Sequence, residues 1–137
     1  KAIIPGGSSV QILRADEIEN ITLDYESLKD HGSALGTGGM IVMDEDTSIP
    51  EAMKNLFEFY HHESCGQCTP CREGTGWVDN LLGKILEGRG TQKDFETILD
   101  VCDMLNGKTI CVFAPSVAFI AQSYLKKFPE EFKKLLT

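Results

Sequence analysis

Residues 63–74 read ESCGQCTPCREG, and this run decides what kind of structure the chain forms. It contains Cys65, Cys68 and Cys71, each separated from the next by two residues, and a further cysteine follows far downstream at Cys111. Thiolates at this spacing converge on one small volume, and they are the donors that zinc and iron-sulfur clusters use. The run therefore predicts a soft metal centre with three clustered ligands and one remote ligand.

The spacing favours one iron-sulfur cluster over zinc. In a bacterial ferredoxin the triplet is followed, after three intervening residues, by a cysteine that serves a second cluster, and this sequence has no such cysteine. A zinc site with four cysteines, which usually comes as two separated pairs, stays open as a structural alternative. Catalytic thiol chemistry is a weak third interpretation, because no cysteine stands alone beside an assigned base.

Other candidate residues near the run have simpler interpretations. His61 and His62 could replace a cysteine as iron ligands, but with four cysteines present we expect them only to end a helix. Glu63, Arg72 and Glu73 either tune the field of the site or lie at the solvated surface. We also expect Gly66, Gly74 and Gly76 to let the backbone approach the cluster and to offer N–H groups to its sulfurs.

Composition excludes several classes of protein. The 137 residues are 42% apolar, which is enough for a buried core, and 21 acidic against 13 basic residues give a net charge of -8. Such a charge repels a phosphate backbone, so nucleic acid is an unlikely partner on electrostatic grounds. No window is apolar enough for a membrane span, and no signal peptide opens the chain, so we expect a cytoplasmic protein without direct membrane insertion.

The first 46 residues predict a partial α+β segment. Apolar patterning predicts short strands at residues 3–4, 21–23 and 40–43, and a helical turn at residues 24–31. Three short strands make a poor sheet alone, so we expect the sequence to be a cut piece or a processed form of a longer chain. The GTGG run at residues 36–39 lacks the ending of a phosphate-binding loop, and we expect a turn there.

Residues 47–137 change to a helical period and predict an antiparallel bundle. The first helix starts with a capping box at residues 48–51, the second has Thr69 as its N-cap, the third starts near Thr91, and the fourth starts at Pro115. Cys71 then lies in the first turn of the second helix and Cys111 just before the fourth, so two helix N-termini should face the anionic cluster. The residues expected to face inward are Met53, Leu56, Phe57, Tyr60, Trp77, Val78, Leu81, Leu82, Ile85, Phe95, Ile98, Leu99, Cys102, Val117, Ile120, Ala121, Tyr124, Phe128, Phe132, Leu135 and Leu136.

The run also carries a family resemblance. Residues 62–77, HESCGQCTPCREGTGW, closely resemble the cluster-binding signature of the NADH-binding flavoprotein subunit of respiratory complex I, which is related to subunits of NAD-linked hydrogenases and formate dehydrogenases. The IPGGSS run at residues 4–9 and the GTGGMIVMD run at residues 36–44 resemble the β-grasp-like region of that flavoprotein. The GKTIC run at residues 107–111 resembles its fourth-ligand segment.

The resemblance implies a function in electron transfer. Cys65, Cys68, Cys71 and Cys111 would bind one [4Fe-4S] cluster, which in the family accepts electrons from FMN reduced by NADH and passes them to clusters in a neighbouring subunit. The FMN- and NADH-binding domain of the family has no counterpart in this sequence, so we expect this piece to relay electrons without binding nucleotide. Its partners would be the other subunits of an NADH dehydrogenase or a related complex, peripheral to the membrane if that complex is respiratory.

Overall fold

Helices dominate the structure, and its three strands lie within the first 43 residues. The computed structural model describes every residue from Lys1 to Thr137 and divides into two compact units, Lys1–Thr47 and Ser48–Thr137. This architecture confirms the predicted class, which is mainly α with a preceding α+β segment. The elements are β1 (Ala2–Ile4), β2 (Leu13–Arg14), a 3-10 turn (Ala15–Glu17), α1 (Tyr25–Asp30), β3 (Ile41–Met43), α2 (Ile49–Glu63), α3 (Thr69–Leu86), α4 (Gln92–Leu105), α5 (Phe113–Lys127) and α6 (Pro129–Lys133).

The first unit contains an antiparallel sheet in the order β2-β1-β3. In its register, Ala2 lies opposite Arg14 on one side and opposite Met43 on the other. The sequence therefore predicted the strands at residues 3–4 and 40–43, and it missed the two-residue strand β2. The GTGG run forms the expected turn, in which the N–H of Thr37 donates to the carbonyl of Gly6 at 3.1 Å.

The strand predicted at residues 21–23 was wrong. The segment leads into α1, because the Asp24 carboxylate accepts hydrogen bonds from the backbone N–H of Ser27 and from the hydroxyl of Thr22. The N–H of Thr22 in turn donates to the Ser27 hydroxyl at 3.1 Å. These local side-chain bonds offer the backbone an alternative to a strand ladder, and they leave Leu23 exposed.

The second unit is a helix bundle in which α2 packs on α3, α3 on α4, and α4 on α5. Short connections make successive helices antiparallel, as the sequence predicted. The stripe residues Met53, Phe57, Ile98 and Tyr124 are almost completely buried. Burying one such apolar side chain contributes about 1.5 to 3 kcal/mol, so this core and not the short helix ends stabilises the unit. No helix combines the length and the apolar composition that a bilayer crossing requires.

Two helices begin earlier than predicted. Thr69 is the first residue of α3 and Cys68 is its N-cap, so Thr69 itself is not the cap. The helix α5 begins at Phe113, two residues before Pro115, with Val112 as its N-cap. The start of α4 is as expected, since the Thr91 hydroxyl and the Asp94 carboxylate form a reciprocal capping box.

Trp77 is not a core residue, contrary to the prediction. The buried stripe of α3 runs through Thr75, Val78, Leu82 and Ile85, and Trp77 lies about 100° away from Val78 around the helix. Its side chain is 51% exposed and lines a shallow apolar cavity beside Val101 and Met104.

Candidate metal centre

The four predicted cysteines come from three separate segments and line a single cavity. Cys65 lies in the connection after α2, Cys68 and Cys71 lie at the start of α3, and Cys111 lies just before α5. The cavity measures about 140 Å³, whereas one water needs about 10 to 15 Å³ by the same measure. The space between the thiols therefore suits a group much larger than a single atom.

The four thiols line one cavity but do not form a site for a single metal ion. No set of three His, Cys, Asp or Glu side chains is placed to hold a single metal ion. A tetrahedral zinc ion would need four donors at about 2.0 to 2.3 Å from one centre. Four thiolates bound to four different irons need no common centre, so the arrangement suits a cluster better.

The four thiols differ in exposure. Cys71 is buried at 7% exposure, Cys68 is half-buried, and Cys65 and Cys111 are exposed. Phe113 and Ala114 add an apolar wall, and the Phe113 ring packs edge-on against Tyr60 with centroids 5.8 Å apart. The site therefore has a buried inner side at Cys71 and an exposed outer side at Cys65 and Cys111.

Two hydrogen bonds reach sulfurs that line the cavity. The backbone N–H of Ile110 donates to the Sγ of Cys68 at 3.4 Å. The hydroxyl of Ser64 lies 3.3 Å from the Sγ of Cys71. Donors to thiolate sulfur stabilise its negative charge, and in iron-sulfur proteins they help to set the reduction potential.

Arg72 holds the loop between Cys65 and Cys68 against the start of α3. Its Nη1 donates to the carbonyl of Gly66 at 2.7 Å, its Nη2 to the Thr69 hydroxyl at 3.4 Å, and its Nε to the Glu73 carboxylate at 3.0 Å. Gly66 has a φ of 78°, a conformation that favours glycine, so the loop between Cys65 and Cys68 makes a tight turn. The exposed guanidinium thus fixes the turn that carries Cys65 and Cys68.

The two helices that begin at the cavity have no side-chain caps. Neither Cys68 at the start of α3 nor Val112 at the start of α5 makes a side-chain capping bond. Pro70 and Pro115 have no N–H, but the other N–H groups in the first turns of both helices are available to an anion, and the helix dipoles favour one. A thiolate-bound cluster is such an anion, so the predicted pairing of two helix N-termini with the site fits the structure.

Residues 51–135 match a family model that is described as the NADH-ubiquinone oxidoreductase-F iron-sulfur binding region. The chain belongs to this family. The match covers α2 to α6 and every cysteine of the site, which confirms the resemblance drawn from residues 62–77. The family is of the 4Fe-4S type, and the donors, cavity and uncapped helices described above fit that cofactor.

Relatives of this iron-sulfur family extend the match to the whole chain. The NADH-quinone oxidoreductase F subunit of Rickettsia bellii is 47% identical over 131 residues, which cover 96% of this chain and 31% of that protein. The NADH-quinone oxidoreductase F subunit 1 of Rhizobium meliloti is 42% identical over 133 residues, with 97% and 31% covered. The chain thus spans about a third of the length of these relatives.

A solved structure shares the fold at lower identity. One chain in the crystal structure of an NAD+-reducing [NiFe]-hydrogenase in the H2-reduced state aligns with a TM-score of 0.82 at 23% identity. The alignment covers 99% of this chain and 23% of the hydrogenase chain. The fold of this iron-sulfur family therefore persists where most of the sequence differs.

Three further candidate residues lie outside the cavity. His61 and His62 do not line the cavity, since His61 pairs with the hydroxyl of Thr75 and His62 with the carboxylate of Glu63. Cys102 is fully buried in α4, and burial, with a smaller effect of Asp103, raises the pKa of its thiol to about 12. It is the core residue that its place on an apolar stripe predicted.

The prediction for Gly74 and Gly76 was wrong. Both lie inside α3, where Gly74 faces Leu105 of α4 and Gly76 faces the ring of His61. Their lack of a side chain serves helix packing and not contact with a cluster. Sequence reasoning also missed Ser64 and Ile110, although a hydroxyl residue directly before the first ligand is a signal that could have identified Ser64.

Proposed function

We propose that Cys65, Cys68, Cys71 and Cys111 hold one [4Fe-4S] cluster and that the chain relays single electrons through it. The observation that carries this proposal is that four thiols from three segments line one cavity of about 140 Å³. A cluster of this type, when bound, accepts and releases one electron at a time. The membership of the chain in an iron-sulfur family supports this cofactor, and the cavity supports the assignment of these four ligands.

The residues around the cavity would set the properties of the relay. The thiolates would hold the cluster, Phe113 and Ala114 would keep water from its inner side, and the donors Ser64 and Ile110 would stabilise charge on sulfur. The Arg72 clamp on the carbonyl of Gly66 would keep the loop in one conformation, so that little reorganisation accompanies a change of charge.

The relatives suggest the setting of this relay. Proteins 42 to 47% identical to this chain are named as F subunits of NADH-quinone oxidoreductase, and the chain spans 31% of their length. In our proposal the chain is the C-terminal part of such a flavoprotein in an NADH dehydrogenase. NADH and FMN would bind elsewhere in the parent flavoprotein, and electrons would leave to clusters of another subunit, in a cytoplasmic assembly peripheral to the membrane.

A structural zinc module that docks subunits is the competing function. It would use the same thiols without a change of oxidation state. The cavity favours the cluster, because its volume of about 140 Å³ is far larger than the roughly 10 to 15 Å³ that a single water needs.

Metal analysis separates the two functions. Anaerobically purified or reconstituted chain should contain about four irons and four acid-labile sulfides per polypeptide, and should give a paramagnetic signal on reduction. Cys111→Ala should lose this cluster, whereas Cys102→Ala, the matched change in the core, should retain it. Stoichiometric zinc without sulfide would overturn the proposal in favour of the docking module, and a cluster unaffected by Cys111→Ala would overturn the ligand assignment.

A further inference from the structure

Ser64 lies between the end of α2 and the most buried ligand of the site. Its hydroxyl is 3.3 Å from the Sγ of Cys71, and the backbone N–H of Gly66 lies 3.4 Å from the same hydroxyl oxygen. The Ser64 backbone is itself fixed, since its N–H donates to the carbonyl of Tyr60 at 3.1 Å at the C-terminus of α2. The side chain is thus held between two partners and is half-buried.

The direction of these bonds follows from counting protons. A hydroxyl has one proton to donate and can accept through its lone pairs. The N–H of Gly66 can only donate, so the oxygen of Ser64 accepts from it. A thiolate bound to iron carries no proton, so the proton of Ser64 must point to the Sγ of Cys71. The result is a short chain of bonds, from Gly66 N–H to Ser64 and from Ser64 O–H to Cys71.

We propose that Ser64 is a positioning residue that raises the reduction potential of the cluster through its hydrogen bond to Cys71. This inference rests on the proposed function, in which Cys71 is a cluster ligand. Reduction adds one negative charge to the cluster and its sulfurs, so a donor to sulfur gains more in the reduced state than in the oxidised state. The donor therefore favours reduction.

The position of Cys71 makes the effect stronger than at an exposed ligand. Cys71 is 7% exposed, and the cavity surface around it includes the side chains of Phe113 and Ala114. Hydrogen bonds to charge are worth more where water does not screen them. The Gly66 N–H, by donating to the oxygen of Ser64, also polarises the O–H group toward the sulfur.

The experiment compares variants of the full 137-residue chain after anaerobic loading with iron and sulfide. Ser64→Ala and Ser64→Val remove the hydroxyl. Ser64→Thr retains the hydroxyl on a side chain that has the same shape as valine. Ser116→Ala is the matched control, because the Ser116 hydroxyl near the start of α5 donates to the Val112 carbonyl at 2.8 Å and not to sulfur. The readout is the midpoint potential, from the paramagnetic signal of the reduced cluster at graded potentials, with iron and sulfide content measured alongside.

We expect Ser64→Ala and Ser64→Val to lower the potential with unchanged iron and sulfide. At a fixed applied potential their ratio of reduced to oxidised cluster should fall about threefold to tenfold, the equivalent of one hydrogen bond. Ser64→Thr and Ser116→Ala should match the wild type. If Ser64 had a merely structural role, its substitution would change cluster content or stability. The midpoint potential would then not differ between Ser64→Val and Ser64→Thr according to the presence of the hydroxyl.

The outcomes separate this inference from the proposed function. If the wild-type chain binds no iron and sulfide, the proposed function fails. If it loads normally and Ser64→Val has the potential of Ser64→Thr, only the role of Ser64 is overturned. Loss of the cluster in both the alanine and valine variants, with retention in threonine, would also overturn it, because the hydroxyl would then serve retention and not the potential.

Discussion

The backbone N–H of Ile110 donates a hydrogen bond to the Sγ of Cys68, 42 positions earlier in the chain, at 3.4 Å. This contact joins the segment before α5 to the start of α3, and the side chain of Ile110 takes no part in it, being 84% exposed. Cys111, the proposed remote ligand, directly follows the donor. The N–H of Ile110 therefore contacts one proposed ligand and lies next to another in the sequence.

Replacing this donor should lower the reduction potential of the loaded chain. Ile110→Pro removes the N–H, whereas Ile110→Ala keeps it and removes only an exposed side chain. We expect Ile110→Pro to lower the midpoint potential by roughly 20 to 60 mV, the equivalent of one hydrogen bond in a one-electron couple. Ile110→Ala should not change it. Equal potentials in the two variants, both fully loaded, would show that the N–H does not act on the cluster.

The helices could be predicted from sequence, and a metal or cluster site could be expected at residues 63–74, because both inferences depend on local spacing. A period of 3.6 residues identifies a buried face wherever apolar residues such as Met53 and Phe57 repeat along α2. Cysteines with two residues between them indicate a metal or cluster site without any knowledge of the fold. Neither inference depends on which distant residues meet.

The rest required tertiary contacts. Trp77 and Val78 are adjacent in sequence and both apolar, and only the packing of α3 against its neighbours decides that Val78 is buried while Trp77 is exposed. Gly74 is a packing residue because Leu105 faces it from α4. Ile110 has no sequence signal as a donor, since any residue except proline has the same N–H.

Thiol reactivity should rank the five cysteines of the metal-free chain. Cys65 and Cys111 are exposed and should react first with iodoacetamide, and Cys68 is half-buried and should react next. Cys71 is buried and should react more slowly, and Cys102 should react last. The thiolate is the reactive form, and burial raises the pKa of Cys102 to about 12, so almost none of it is ionised near neutral pH. Peptide mass spectrometry over time measures the order. Alkylation of Cys102 without global unfolding would contradict its place in the core.

Acid should remove one specific contribution to stability, at the start of α4. The Asp94 carboxylate accepts from Lys84 Nζ at 2.7 Å and from the backbone N–H of Thr91 at 2.7 Å. The Lys84 bond first, and then the Thr91 bonds, lower the pKa of Asp94 from 3.8 to about 2. Because the pKa is lower in the folded state, the stabilisation is complete above about pH 4 and disappears as the pH falls to about 2.

The variant Asp94→Asn tests this contribution. It should cost about 1 kcal/mol at neutral pH, the usual value of a capping interaction, since an ion pair this near the surface adds little. The free energy of unfolding from urea titrations should fall less steeply between about pH 4 and pH 2 in Asp94→Asn than in the wild type. Asp100→Asn, an exposed change on the same helix, is the control and should keep the wild-type slope. Parallel pH profiles for wild type and Asp94→Asn would contradict the assignment.

Two glycines of α3 should respond in opposite ways to alanine. A Cβ at Gly74 would lie 3.0 Å from Leu105 Cδ2 and 3.3 Å from Val101 Cγ1, both on buried residues of α4. A Cβ at Gly83 would meet only Lys54 Cε, at an ordinary 3.6 Å. Alanine in mid-helix gains about 0.5 to 1 kcal/mol over glycine, whereas forcing an extra methyl group into a packed core costs about 1 to 3 kcal/mol.

We therefore expect Gly83→Ala to stabilise the chain by up to about 1 kcal/mol. Gly74→Ala should destabilise it by about 1 kcal/mol, which is the cost of the extra methyl group minus the gain from replacing glycine by alanine within a helix. Urea unfolding of both variants against the wild type measures the difference. Gly74→Ala should also weaken cluster binding, because Gly74 lies one turn after Cys71 and a shift of α4 against α3 acts on that turn. Equal stabilisation by both changes would mean that α4 moves to make room for the methyl group. The packing of α4 would then not constrain α3, the helix that carries Cys71.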